Sequence, residues 1–224
     1  MRRPDDAVHA TIESRLMATQ LNYNSVRASL LSVPSYREIG RHLIILLTDP
    51  VANSIDMRFS GVHINGNSLV KVRRLIQSNQ ILTFMVPNGD PILQGGYGIY
   101  VQEFDCLFVT TGNLGNTFFK SVIFHEIVHA RLDMRGVQSR SLRDEAAAFV
   151  FQAMYLRKSG IGTTNLPAGS NVNLLSPALR IADSLLAHQP ASSSDVQALQ
   201  AAIPAMGIYA GAAQRIIMNN AVRH

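Results

Sequence analysis

The stretch FHEIVHARLD, residues 124 to 133, limits the possible folds of this chain more than any other. It lies in a helical pattern over 116 to 134 in which Phe118, Phe119, Val122, Ile123, Ile127, Val128 and Leu132 make the helix apolar on most sides, as an internal helix is. The same helix carries His125, Glu126, His129 and Asp133, groups that are costly to bury without partners. His125 and His129 are four residues apart, about one turn, so both imidazoles project from one face at a spacing that suits two ligands of one metal. Glu126 stands beside the first histidine. From there its carboxylate reaches a water on the metal rather than the metal itself, which is the geometry of a general base.

A hydrolytic zinc site takes three protein ligands and keeps one position open. The chain has a single cysteine, Cys106, which rules out an internal disulfide and a Cys-rich zinc knuckle and leaves histidine and carboxylate as the ligand types. Downstream acids are Asp133, Asp144 and Glu145. Asp133 is four residues past His129, a full turn beyond the metal, so it is expected to orient a histidine or pair with an arginine. Glu145 opens EAAAFVFQAMYL in the first turns of a following helix, and a turn across 135 to 140 would fold that helix back on the first. Ala146, Ala147 and Ala148 would let the two helices approach closely enough for the Glu145 carboxylate to reach the metal. An acid in a first helical turn is also favoured by the macrodipole alone.

The remaining chain reads as one domain over 1–224, with 47% hydrophobic residues giving enough apolar mass for a core. Residues 1–50 carry N-terminal helices, one over 7 to 32 ended by Pro34 and one over 36 to 47. From 55 to 111 the texture changes to short β-rich runs, IDMRF, GVHING, ILTFMV, GYGIYV and CLFVTT, separated by Asn-Gly and Gly-Gly turn signals, with only VKVRRLIQSN helical among them. This predicts a small, mainly antiparallel sheet of four or five strands. Helices over 116 to 134 and 141 to 159 form the metal-site segment 116–159. After the Gly/Asn/Pro loop at 160 to 173 come C-terminal helices within 174–222, at 176 to 188, 193 to 203 and 208 to 222. Helices, a sheet and helices again make the fold class α+β.

No apolar run approaches the roughly 20 residues of a membrane span. The N-terminus lacks the apolar core of a secretory signal, which points to a cytoplasmic protein or one exported by a specialised route. The formal charge of +5 comes with one dense basic cluster, Lys71, Arg73 and Arg74, and with Arg131, Arg135, Arg140 and Arg143 around the HExxH motif. The second group could attract an acidic substrate. Without aromatic interleaving, a nucleic-acid partner is not favoured. The pattern sets no oligomeric state.

HEIVHARLD followed by DEAAA resembles the gluzincin branch of the zincin metallopeptidases. The resemblance covers about 116 to 156 and includes Ala130 after the second histidine and Asp133 at a position where thermolysin-like enzymes also carry an aspartate. It implies a zinc-dependent peptidase in which His125, His129 and Glu145 bind Zn²⁺ and Glu126 is the base. Fifteen residues separate His129 from Glu145, shorter than in thermolysin-like enzymes, and Phe149 stands where those enzymes have an acid supporting a histidine. The chain is closer to compact zincins such as the ImmA/IrrE-like peptidases and the small metallopeptidase effectors that bacterial pathogens inject into host cells. That likeness implies a protein or peptide substrate. In zincins the strand before the active helix borders the cleft, which here makes Leu107 and Val109 of CLFVTT a candidate substrate edge, with GYGIYV as hairpin partner. An oxyanion-stabilising group is also expected, with Tyr155, His188, Tyr209 and Arg215 as candidates. The alternative is a non-catalytic zincin-like domain that binds a protein partner and keeps zinc for stability.

Overall fold

The computed structural model describes residues 23–110, 114–135, 138–167, 170–205 and 216–218. Among them α1 (Tyr23–Leu31) and α2 (Gly40–Leu46) flank a two-residue strand β1 (Arg37–Glu38), and a single turn, α3 (Pro50–Asn53), follows. A hairpin of β2 (Met57–Phe59) and β3 (Val62–Ile64) leads into α4 (Gly66–Gln77). The strands β4 (Leu82–Val86), β5 (Gly98–Val101) and β6 (Cys106–Thr110) precede two long helices, α5 (Thr117–Asp133) and α6 (Ser141–Lys158), which flank β7 (Gln138–Arg140). Helices α7 (Val172–Leu186) and α8 (Ser193–Ala205) and the strand β8 (Ile216–Met218) complete it. The architecture is α+β, as the order of sequence textures implies.

Local chemistry fixes most boundaries. Asp49 accepts the amides of Val51 and Ala52 and Pro50 occupies the first turn, so α3 starts there. Asn65 and Ser68 exchange a capping box at the start of α4. Ser60 and Gly61 both have positive φ, the two-residue turn that a right-twisted hairpin requires.

The principal sheet has four strands in the order β1-β4-β6-β5, with β4–β6 parallel and the other two pairings antiparallel. IDMRF and GVHING do not join it; they form the separate β2–β3 hairpin. Both faces of the sheet are covered. On one side Phe84 stacks on Phe108 with ring centroids 5.6 Å apart, and Tyr36, Leu30, Cys106 and Leu93 close around them. On the other, Leu107 and Val109 enter the larger core with α4, α5, α6 and α7. Each fully buried side chain of this size contributes about 1.5–3 kcal/mol relative to exposure.

Four further expectations need correction. Residues 36 to 47 are not all helical: Arg37 and Glu38 pair with Met85 and Phe84, because the outer edge of β4 offers them backbone partners, and the helix begins at Gly40. The connection at 135 to 140 ends in strand β7, which pairs antiparallel with β8. Ile216–Met218 is therefore extended, whereas the rest of the expected helix over 208 to 222 lies outside the described residues. The helix expected at 176 to 188 starts earlier, at Val172, where the Asn171 side chain accepts the Leu174 amide. Of the first expected helix, 7 to 32, residues 7–22 lie outside the described residues. Among the described residues no helix is long and apolar enough to cross a membrane.

Candidate metal centre

Helix α5 starts at Asn116, whose side chain accepts the Phe118 amide at 2.8 Å. From that start the 3.6-residue period carries His125 and His129 to one face, where their Nε2 atoms lie 3.2 Å apart. Helix α6 packs along α5. Ala146, Ala147 and Ala148 are fully buried between the elements, as are Ala130 and Ala153, and Gln152 donates to Ser121 across the helix pair. At the start of this close-packed segment Glu145 places its Oε2 3.5 Å from both histidine Nε2 atoms.

The three donors thus form a triangle with sides of 3.2, 3.5 and 3.5 Å. Nitrogen and oxygen ligands at about 2.0–2.1 Å from a tetrahedral zinc ion are about 3.3–3.4 Å from one another. The observed spacings bracket that value, and the two 3.5 Å spacings to Glu145 are long for hydrogen bonds. Consistent with this, Glu145 Oε2 is buried and has no hydrogen-bond partner among the described residues. Two imidazole nitrogens and one carboxylate oxygen are a common zinc donor set, so the residues present fit such an ion.

The electrostatics follow from the burial of opposite charges. Side chains at 129 and 145 are only 17% and 14% exposed. Burial opposes a charged His129, yet the Glu145 carboxylate beside it, helped by Glu126 and Asp144, carries its pKa up to about 9. Burial likewise opposes the Glu145 charge, but the two imidazoles outweigh it and hold the carboxyl well below the usual carboxylate range. Glu126 shifts the other way. It is 6% exposed, and burial pushes its carboxyl up while His125, His129 and the Tyr100 amide pull it back only in part.

Glu126 is held by the sheet. The Tyr100 N–H donates to Glu126 Oε2 at 2.8 Å. Strand β5 comes this close because residue 98 is glycine: a Cβ there would stand 3.1 Å from Glu126 Cγ and 3.3 Å from Val122 Cγ1. The Tyr100 hydroxyl in turn donates toward two buried acids, Asp133 Oδ2 at 2.9 Å and Asp105 Oδ1 at 3.1 Å. Neither Tyr100 nor Gly98 stands out in the sequence. The usable signal was the alternation in GIYV, which puts Gly98 and Tyr100 on one strand face and Ile99 and Val101 on the other.

His125 is seated by packing. Its ring meets Phe149 edge-on with centroids 4.3 Å apart, and its Nδ1 is buried without a hydrogen-bond partner among the described residues. Phe149 is one turn after Glu145 on α6, so the residue that departs from the thermolysin-like pattern is the one that touches the histidine.

The edge-strand assignment needs correction. β6 lies between β4 and β5 with both sides paired, and Leu107 and Val109 are core residues beneath the helices, so among the described residues the edge of the sheet on this side is β5. The hairpin pairing of GYGIYV with CLFVTT is observed. Tyr155 is ten residues beyond Glu145, about 15 Å along α6. There its hydroxyl donates to Asp49 at 3.0 Å and its ring packs on Phe124, so it does not face the donor triangle. His188 is exposed just after α7 in a left-handed conformation. Tyr209 and Arg215 lie outside the described residues. Of the acids weighed as ligands, Asp144 is buried next to Arg143, 3.9 Å from its Nε, and stays outside the donor triangle.

Comparison of the chain with protein-family models, with curated proteins and with solved structures finds no match in any of the three.

Proposed function

We propose that the chain is a zinc-dependent metallopeptidase of compact gluzincin type. The observation that carries this reading is the triangle of His125 Nε2, His129 Nε2 and Glu145 Oε2, with the Glu126 carboxylate one residue from its first corner. His125, His129 and Glu145 would hold the ion. Zinc, when bound, supplies Lewis acidity toward a carbonyl oxygen and makes a water acidic enough to attack near neutral pH. Glu126 takes the proton of the attacking water and passes it to the leaving amine, a task suited to a buried carboxyl whose pKa is pushed up by burial. Peptide substrate lies along the outer edge of β5, where the backbone groups of Gly98 point away from β6.

One observation favours a second reading. Glu126 is almost fully buried and already ties α5 to β5 through the Tyr100 amide, as a purely structural glutamate would. On that reading the chain is a zincin-like binding domain with structural zinc. Metal analysis of the purified protein and mass-spectrometric mapping of cleaved peptides, wild type against Glu126→Gln, separate the two. A peptidase gives about one zinc per chain in both proteins and cleavage in the wild type alone. Cleavage that persists in Glu126→Gln removes the assigned base, and zinc without any cleavage supports the binding domain.

A further inference from the structure

Tyr100 is the point at which strand β5 grips helix α5 twice. The Thr110 N–H donates to the Tyr97 carbonyl, so alternation along the antiparallel ladder turns the polar groups of Ile99 and Val101 toward β6 and those of Gly98 and Tyr100 outward. The outward Tyr100 N–H holds Glu126 Oε2. Its ring lies on the helix-facing side of the sheet, 7% exposed, and its hydroxyl reaches Asp133 Oδ2 on α5 at 2.9 Å and Asp105 Oδ1 just before β6 at 3.1 Å. Glu126 and Asp133 are seven residues apart, two turns or about 10 Å along α5. One residue therefore fixes the strand against the helix at two levels. A tyrosine ring is a stiff spacer between those levels, because only two side-chain torsions separate its backbone from its hydroxyl.

We infer that Tyr100 is a positioning residue for Glu126: its hydroxyl, anchored on Asp133, sets the register of β5 along α5 so that its amide fixes one oxygen of the Glu126 carboxylate and leaves the other for the proton. This rests on the reading of Glu126 as the base. Gly98 fits the same device, since any side chain there would lift the strand from Val122 and Glu126 and lengthen the amide contact.

The test uses amide hydrogen exchange together with turnover. In the full chain, metal-free and zinc-loaded, the amide of residue 100 is expected to be protected, and Glu126→Ala should accelerate its exchange about tenfold or more while leaving the amides of Ile99 and Val101, which bond to β6, within about twofold. Tyr100→Phe should accelerate the same amide, retain wild-type zinc stoichiometry, and lower kcat at the mapped cleavage site about tenfold with KM little changed. Asp133→Asn keeps an oxygen for the hydroxyl and should stay near wild type in both measurements, whereas Asp133→Ala leaves the hydroxyl on Asp105, which is not on α5, so it should shift both readouts in the direction of Tyr100→Phe by a smaller amount and serves if the phenylalanine variant does not fold. Unchanged exchange at residue 100 in Glu126→Ala, or unchanged kcat in Tyr100→Phe, overturns the assignment. If the wild type cleaves nothing, the peptidase reading fails, and the exchange data still decide whether Tyr100 holds Glu126.

Discussion

Zinc binding at this centre should expel a proton from His129. With its pKa carried up to about 9 by the neighbouring carboxylate, His129 is mostly protonated at pH 7 in the metal-free protein. A metal takes only the neutral imidazole, so binding must first remove that proton. Two pH units below the pKa, this costs about 3 kcal/mol and weakens apparent affinity about 100-fold relative to pH above 9. The assay is titration calorimetry of zinc into chelator-treated protein at pH 7, in two buffers of different ionisation enthalpy. Using Glu126→Gln excludes protons carried by the raised carboxyl at 126 and leaves Glu145, the largest of the raising causes, to keep His129 raised. The expected outcome is release of about one proton per ion, with affinity rising about tenfold per pH unit from 7 to 9 and levelling above. Adding Glu145→Gln removes the charge that raises His129, so proton release at pH 7 should fall by most of one proton while affinity drops through loss of a ligand. An enthalpy independent of buffer at pH 7, with the ion bound, would refute the claim that Glu145 keeps His129 charged.

The same pair gives the metal-free fold a pH dependence. His129 has a folded pKa above its unfolded value, so its contribution is full below about pH 6.5 and is lost as pH rises through about 9. Glu145 is depressed, so its share is present above its unfolded pKa and is lost on acidification. These are one interaction seen from both partners. In thermal melts of chelated protein, Tm should therefore fall between pH 6.5 and 9, and the fall should shrink in Glu145→Gln. Gly98→Ala should cost about 1–3 kcal/mol by overpacking against Val122 and Glu126, seen as a lower denaturant midpoint, with zinc stoichiometry preserved and turnover reduced. Tyr155→Phe should cost about 1–3 kcal/mol through the lost hydrogen bond to the Asp49 carboxylate, yet leave cleavage within about twofold. A loss of turnover far beyond that would return Tyr155 to the reaction.

The two histidines were legible because i,i+4 spacing on a helix is a geometric statement by itself. Glu145 was legible by a different route, since the alanines after it announce the close helix contact that delivers it. Strand order was misread for an identifiable reason. CLFVTT is apolar on both faces, the signature of a strand with both faces covered, whereas GYGIYV carries two glycines, which suit a strand whose backbone must approach a neighbour closely. The zincin resemblance, in which the strand before the active helix borders the cleft, points to CLFVTT as the edge, but order in sequence does not set order in a sheet, and β5 turns back outside β6. The strands at 37–38 and 216–218 are too short to show any period. The Tyr155 candidacy failed on helix rise alone: ten residues carry a side chain out of reach of an ion held at Glu145.

Phe149 shows why the centre depends on helix docking more than on a hydrogen-bonded support. A ligating histidine usually donates its second ring N–H to a carboxylate or carbonyl, which fixes tautomer and orientation. Here His125 Nδ1 has no such partner among the described residues, and an aromatic face takes the orienting role by contact. Glu145 and Phe149, one turn apart on α6, then act as a pair: one supplies the third donor and the other seats the first histidine. Both are placed by the same alanine-lined contact with α5. A shift of α6 along α5 would displace donor and support together, so the centre and the α5–α6 interface should form and break as one unit. Metal bound across that interface would stabilise it through the two histidines on one side and Glu145 on the other, by an amount that grows with the logarithm of free metal over its Kd.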